Sequence, residues 1–313
     1  MNHVFGPVYS RRLGKSLGID LVPFKTCTQD CIYCQLGPTT CKALERGSFC
    51  SVSEIIDELS RKLREVHADF ITLAGSGEPT LHSELGTIVS KIKEMTSIPV
   101  AVLTNGSLLF QPDVRRDLME VDVVCPSLDA GNEHTFQKVN KPVPDITFET
   151  FLNGLIQFRR EYPGQIWLEV FLIKGITDTK EEVIQIAQCA AQMSPDRIQL
   201  NTVTRPPADL SISGLTIQEL EKFASLFTPA AEVIAEYPVV SKDSSPLHEI
   251  HLTVDDILNV LQRHPCSLPE LAFALDVPEN TVKPLIKDLL HQHKIEAFEI
   301  LGRELFRYTP INE

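Results

Sequence analysis

The chain has 313 residues, 43% hydrophobic and 23% charged, a globular profile long enough for two folding units. Its net charge of -13 argues against a surface built to coat nucleic acid, and no apolar run approaches the roughly 18 residues of a membrane span. The N-terminus lacks a signal-peptide pattern, so a cytoplasmic protein with no membrane partner is expected.

In chain order, the stretch SLGIDLVP reads as a first strand. Further strands are expected at Phe70 to Gly75, Val100 to Gly106, Val121 to Ala130, Ile166 to Gly175 and Arg197 to Val203. Each is apolar, rich in β-branched residues and stopped by polar residues or glycine. Between them, Ser53 to Val66, His82 to Met95, Phe148 to Tyr162 and Thr179 to Met193 repeat apolar residues at helical spacing, with Ser53 as a natural N-cap. About six strand-helix units of this size predict an α/β fold with a parallel sheet covered by helices, either doubly wound or bent into a full or partial barrel.

The text then becomes polar from Val239 to Leu252 and contains Pro246, which marks a linker. Domains are therefore expected at 1–238 and 253–313, joined by 239–252. The last module reads as three short helices and a hairpin turning at Gly302, a winged-helix-like arrangement. Its six Lys or Arg face ten Asp or Glu over residues 251–313. In the third helix, Lys283 and Lys287 are opposed by Glu279 and Asp288. That balance disfavours DNA and favours a peptide, protein or dimer contact.

Cys27, Cys31 and Cys34 form a Cys-x3-Cys-x2-Cys loop directly after the first expected strand. A structural zinc site needs four closed ligands, and Cys41 and Cys50 are too widely spaced to make a second short pair. Redox chemistry needs only two thiols, and inert buried cysteines need no regular spacing. Three thiolates suit a cubane 4Fe-4S cluster whose fourth iron lacks a protein ligand. Cys125, Cys189 and Cys266, one each in a strand, a helix and the last module, are read as small buried hydrophobes.

With Tyr33 before its last cysteine, this loop resembles the signature of the radical S-adenosylmethionine superfamily. The resemblance implies a partial (β/α)6 TIM-type barrel, a 4Fe-4S cluster on Cys27, Cys31 and Cys34, and S-adenosylmethionine chelated at the open iron. Reductive cleavage of that cofactor gives a 5'-deoxyadenosyl radical that removes hydrogen from a substrate.

The expected strand ends supply polar groups in order. Gly75, Gly77, Glu78 and Pro79 lie in GSGEPT, which is similar to the superfamily's glycine-glycine-glutamate turn for the methionine amino group. Asn105, Ser127 and Asp129 are implied candidates for the ribose and carboxylate pocket, Lys174 for the cofactor carboxylate or substrate, and Asn201 for the sixth strand end. Tyr33 is expected beside the adenine.

The N-terminal stretch from Phe5 to Gly37 is similar to wyosine-synthase-like iron-sulfur oxidoreductases, and Arg11, Arg12 and Lys15 offer phosphate contacts. Arginines paired with the acidic barrel are the alternative. The expected partners are a peptide, protein or tRNA substrate and an electron donor such as flavodoxin or ferredoxin. Two other functions stay open: an iron-sulfur-sensing winged-helix transcription regulator, and a glycyl-radical activase. A cobalamin-binding domain is not expected.

Overall fold

The structure is a computed structural model that describes residues 3–235, 252–262, 265–300 and 303–309. The expected linker lies outside the described residues except for Leu252, as does the turn at Gly302.

The chain opens with a hairpin of β1 (Val4–Ser10) and β2 (Gly14–Ile19), paired antiparallel. The cysteine loop follows, pinned by two short parallel strands, β3 (Thr26–Cys27) and β4 (Cys41–Lys42). Helices and strands then alternate: α1 (Val52–Leu63), β5 (Phe70–Leu73), α2 (Leu85–Met95), β6 (Val100–Thr104), α3 (Pro112–Asp117) and β7 (Val123–Pro126). Next come α4 (Glu133–Val139), α5 (Phe148–Glu161), β8 (Gln165–Leu172), α6 (Lys180–Met193), β9 (Arg197–Thr202), α7 (Ile217–Ala224) and β10 (Glu232–Val233). The sheet order is β1-β2-β5-β6-β7-β8-β9-β10, parallel from β2 onward.

Strand periodicity decides what each face does. Leu17, Ile19, Ile71, Leu73, Val102, Val124, Leu168, Val170 and Leu200 point outward into one apolar core with Ile55, Leu59, Ile88, Leu155 and Ile186 of the covering helices. Their neighbours Ser16, Thr72, Leu103, Cys125, Glu169 and Asn201, from six different strands, all line a single cavity. The sheet therefore curls around its inner face. Below the cavity, Leu13 from the hairpin turn packs with Ala101, Val123, Cys125 and Trp167 and plugs the interior.

Local chemistry sets the helix starts. Thr147 and Thr179 accept hydrogen bonds from Thr150 N and Glu182 N at 3.2 Å, and Thr216 with Glu219 forms a capping box on α7. The expected cap Ser53 instead lies within the first turn of α1. Ser51 holds the N-cap position and uses its hydroxyl on Ser53 Oγ, at 2.7 Å.

The C-terminal residues form α8 (Val254–Leu261), α9 (Leu268–Ala274), α10 (Glu279–His291) and an antiparallel hairpin of β11 (Ile295–Ile300) and β12 (Arg303–Tyr308). They have their own core around Ile257, Leu271, Val282, Ile286 and Phe306. Val8 of β1 packs against that core, and Tyr9 meets Phe273 edge-on at 5.9 Å. Among the described residues no helix is long and apolar enough to cross a membrane.

Candidate cofactor site

The cysteine loop is held by backbone contacts from three directions. Glu78 N donates to Thr26 O at 3.0 Å and Lys25 N to Ser76 O at 2.6 Å, which ties the loop to the GSGEP turn. Asp30 N and Ile32 N donate to Asn140 O and Val139 O at 3.0 and 2.9 Å, and Asp209 N donates to Ile32 O at 2.9 Å.

The glycines of the turn are dictated by this approach. A Cβ on Gly77 would lie 2.0 Å from Thr26 O. One on Gly75, whose φ is +128°, would lie 1.7 Å from Asp20 Oδ1, the atom that accepts Ser76 N at 2.6 Å.

This scaffold turns Cys27, Cys31 and Cys34 toward a cavity of about 470 Å³. Each sulfur faces a side-chain N–H donor, and Cys27 also meets the backbone N–H of Gln29. Asn105 Nδ2 lies 3.4 Å from Cys27 Sγ, Asn140 Nδ2 3.6 Å from Cys31 Sγ, and Lys25 Nζ 3.2 Å from Cys34 Sγ. Burial, and then the charge of Glu78, push the Cys27 thiol up to about 11. Burial and then Cys27 push Cys31 well above the ordinary thiol range.

Among the described residues no group of three or more His, Cys, Asp or Glu converges tightly enough for a single metal ion. A cubane does not require such convergence, because each thiolate ligates a different iron. The donor set fits a 4Fe-4S cluster: three thiols on one loop, a side-chain N–H to each sulfur, and a buried ammonium facing the group of sulfurs.

Tyr33, Gly75, Gly77, Asn105, Ser127 and Asn201 all line the cavity. Tyr33 stacks on Phe171, with ring centroids 4.0 Å apart. Four expected contacts are absent from the cavity lining. Pro79 is buried at the start of a short 3-10 turn. Lys174 is exposed and pairs with Glu219 at 3.2 Å. Glu78 is fully enclosed: Oε1 accepts from Thr80 N (3.1 Å), Thr80 Oγ1 (2.6 Å) and Thr104 Oγ1 (2.6 Å), and Oε2 from Asn105 N (2.7 Å). Burial raises its carboxyl, and these donors partly oppose that rise.

Asp129 is the other enclosed carboxylate. It accepts from Tyr33 Oη, from Asn140 Nδ2 at 2.8 Å and from Phe171 N at 3.0 Å. Burial lifts its carboxyl to about 6 against those three donors. Glu78 and Asp129 thus brace residues that face the cavity.

Residues that strand-end patterns did not reveal also line the chamber: Lys25, Gln29, Thr104, Glu169, Phe171 and Arg205. Glu169 and Phe171 were legible in principle as alternate positions of one strand. Arg205 donates to Gln35 Oε1 at 2.8 Å and lies 3.8 Å from Glu270 of α9, while Val260 and Ala274 of the C-terminal module complete the wall. Arg11 and Arg12 point inward, as the alternative to phosphate contacts has it. Arg12 pairs with Glu169, and Arg11 donates to Ala235 O at 3.0 Å, because the hairpin turn carries both across the open side of the sheet. Cys125, Cys189 and Cys266 are buried, as their apolar surroundings predict.

Comparison with known proteins followed the same lines. The profile of the Radical SAM superfamily matches residues 21–188. A UPF0026 protein of Methanocaldococcus jannaschii is 32% identical over 97% of this chain and 90% of its own length. A UPF0026 protein of Helicobacter pylori is 34% identical over 97% and 96%.

A protein of Brachyspira hyodysenteriae named GTPase Obg is 43% identical over 96% of this chain, which spans 44% of that relative's length. No two glycines here are five residues apart, so the chain carries no GxxxxGK[ST] phosphate loop. Among solved structures, a radical SAM methyltransferase from Sphaerobacter thermophilus superposes with a TM-score of 0.56 at 16% identity, covering 71% of this chain and 66% of that one. Streptococcus suis SuiB gives 0.52 at 12% identity, covering 71% and 49%. At such identities the likeness concerns the fold.

Proposed function

Since the chain belongs to the radical SAM superfamily and to the UPF0026 family, we propose that it is a radical enzyme whose barrel holds a 4Fe-4S cluster and S-adenosylmethionine. The observation that carries this reading is the set of three cysteine sulfurs on one cavity wall, each met by an N–H from a different segment. When bound, the cluster supplies the electron that splits S-adenosylmethionine into methionine and the 5'-deoxyadenosyl radical that takes hydrogen from substrate.

The chain's own residues then divide the work. Cys27, Cys31 and Cys34 would hold the cluster. Tyr33 and Phe171 offer an aromatic wall for the adenine. Gly75 and Gly77 let the backbone of the turn come close to the methionine moiety. Asn105, Ser127 and Asn201 serve its polar groups and the ribose. Glu78 acts indirectly, by fixing Thr104 and the Asn105 backbone, in place of the expected direct contact with the amino group.

We read the sheet as a partial (β/α)6 barrel over residues 1–238, followed by a winged-helix-like module from 253. That module supplies Val260 and Ala274 to the chamber, which favours a role as a wall over a role as a remote DNA reader. A peptide, protein or RNA substrate would present its reactive group to this chamber. A flavodoxin or ferredoxin would supply the electron.

The test is anaerobic reconstitution followed by dithionite and S-adenosylmethionine, with 5'-deoxyadenosine as the readout. Release by the wild type and not by Cys34→Ala is expected. A fully loaded wild-type protein that leaves S-adenosylmethionine intact would remove the reading.

A further inference from the structure

Lys25 is 2% exposed, yet among the described residues no carboxylate pairs with its ammonium. Its side-chain partner among the described residues is Cys34 Sγ, at 3.2 Å. A buried cation without a counter-charge is costly unless an anion is to come beside it.

The backbone is also bent to put it there. Lys25 has φ +62°, a region that side chains other than Asn and Asp seldom occupy. It is held in that conformation by Lys25 N donating to Ser76 O at 2.6 Å and by Cys41 N donating to Lys25 O at 3.1 Å. Held this way, the side chain lines the cavity together with all three cysteines.

We propose that Lys25 sets the reduction potential of the cluster, which rests on the reading that Cys27, Cys31 and Cys34 hold one. Reduction adds one electron to the cluster and changes no bond or proton on the protein. The added negative charge would lie beside an ammonium that is itself buried, so the reduced state is stabilised more than the oxidised state. The amides of Asn105 and Asn140 meet the other two sulfurs without charge, so Lys25 exerts the largest single effect. It acts through the sulfur and is a positioning residue.

The experiment is an EPR-monitored redox titration of reconstituted protein without S-adenosylmethionine, using wild type, Lys25→Met, Lys25→Gln and Lys25→Arg. With about four irons bound, Lys25→Met should lower the ratio of reduced to oxidised cluster about tenfold at a fixed potential, equivalent to about 59 mV for one electron. Lys25→Gln keeps an N–H for Cys34 and loses the charge, so it should shift in the same direction, while Lys25→Arg should stay close to wild type.

A neutral variant that holds its cluster at the wild-type potential overturns the proposal, even if its affinity for S-adenosylmethionine falls. Failure of both neutral variants to hold a cluster would assign Lys25 to assembly and also overturn it. A wild-type protein that takes up no cluster removes instead the reading beneath the proposal.

Discussion

Arg12, carried on the turn of the first hairpin, reaches inside the curled sheet and pairs with Glu169 of β8 at 2.8 Å, with both side chains less than one-fifth exposed. Asn201 Nδ2 donates to the second oxygen of Glu169 at 2.8 Å, so the carboxylate is satisfied on both sides. Burial pushes Glu169 up, but Arg12 and Asn201 outweigh it and hold the carboxyl below its ordinary value. Removing one partner leaves an uncompensated charge in the interior. Arg12→Met or Glu169→Leu alone should therefore cost about 3–5 kcal/mol, whereas the two together should recover most of that loss. Urea unfolding of the two singles and the double closes the cycle, and additive losses would contradict the pairing.

The clasp between the GSGEP turn and the cysteine loop predicts a second, sharper sensitivity. At Gly77 a methyl group would meet a backbone carbonyl, Thr26 O, which cannot rotate away as a side chain would. Gly77→Ala should lose about 2 kcal/mol or more in thermal or urea unfolding and should bind iron poorly after reconstitution. Ala at Gly37, where nothing lies within 4 Å, meets only the strain of φ +82° and should hold its iron. Equal iron content in the two variants would show that the clasp does not position the thiols.

Much of this was legible before any coordinate. Six strands, β2 and β5 to β9, announced themselves because their outward faces must be apolar to meet helices. The cysteine spacing is a local code. The hairpin strand β1 left no such trace: it is half-buried along its whole length and broken by Gly6 and Pro7, so no alternation develops. Nor can a strand-end pattern tell which carboxylate faces the cavity. Glu78 turns away because Thr80, Thr104 and the Asn105 backbone converge on it, and Lys174 turns outward to Glu219, 45 residues on. Apart from Thr80, those partners are distant in sequence.

Seven of the eight cysteines fall into three groups. Cys27→Ala, Cys31→Ala and Cys34→Ala should each reduce reconstituted iron from about four per chain to a small residue and abolish 5'-deoxyadenosine release. Cys125, Cys189 and Cys266 are buried and lie outside the cysteine loop, so Ala there should leave iron content unchanged and cost stability alone, about 1 kcal/mol each. Cys41→Ala should be silent in both, since that thiol is exposed. Iron quantitation across the set checks it, and loss of iron from Cys41→Ala would call for a fourth ligand.

Asp129 adds a pH signature. Its carboxyl ionises at about 6 in the folded protein against an unfolded value of 3.8, because burial outweighs the bonds from Tyr33, Asn140 and Phe171 N. An acid raised in this way takes up a proton on folding between those two values, so its stabilising contribution is complete below about 3.8 and is lost as pH rises toward 6. The loss amounts to about 3 kcal/mol across that window. Asn at this position cannot ionise. The wild type should therefore lose stability relative to Asp129→Asn as pH rises from 4 to 6, and the difference should level off above 7. Urea midpoints at intervals through that range measure it, and a difference that stays constant with pH would mean Asp129 folds with an ordinary carboxyl.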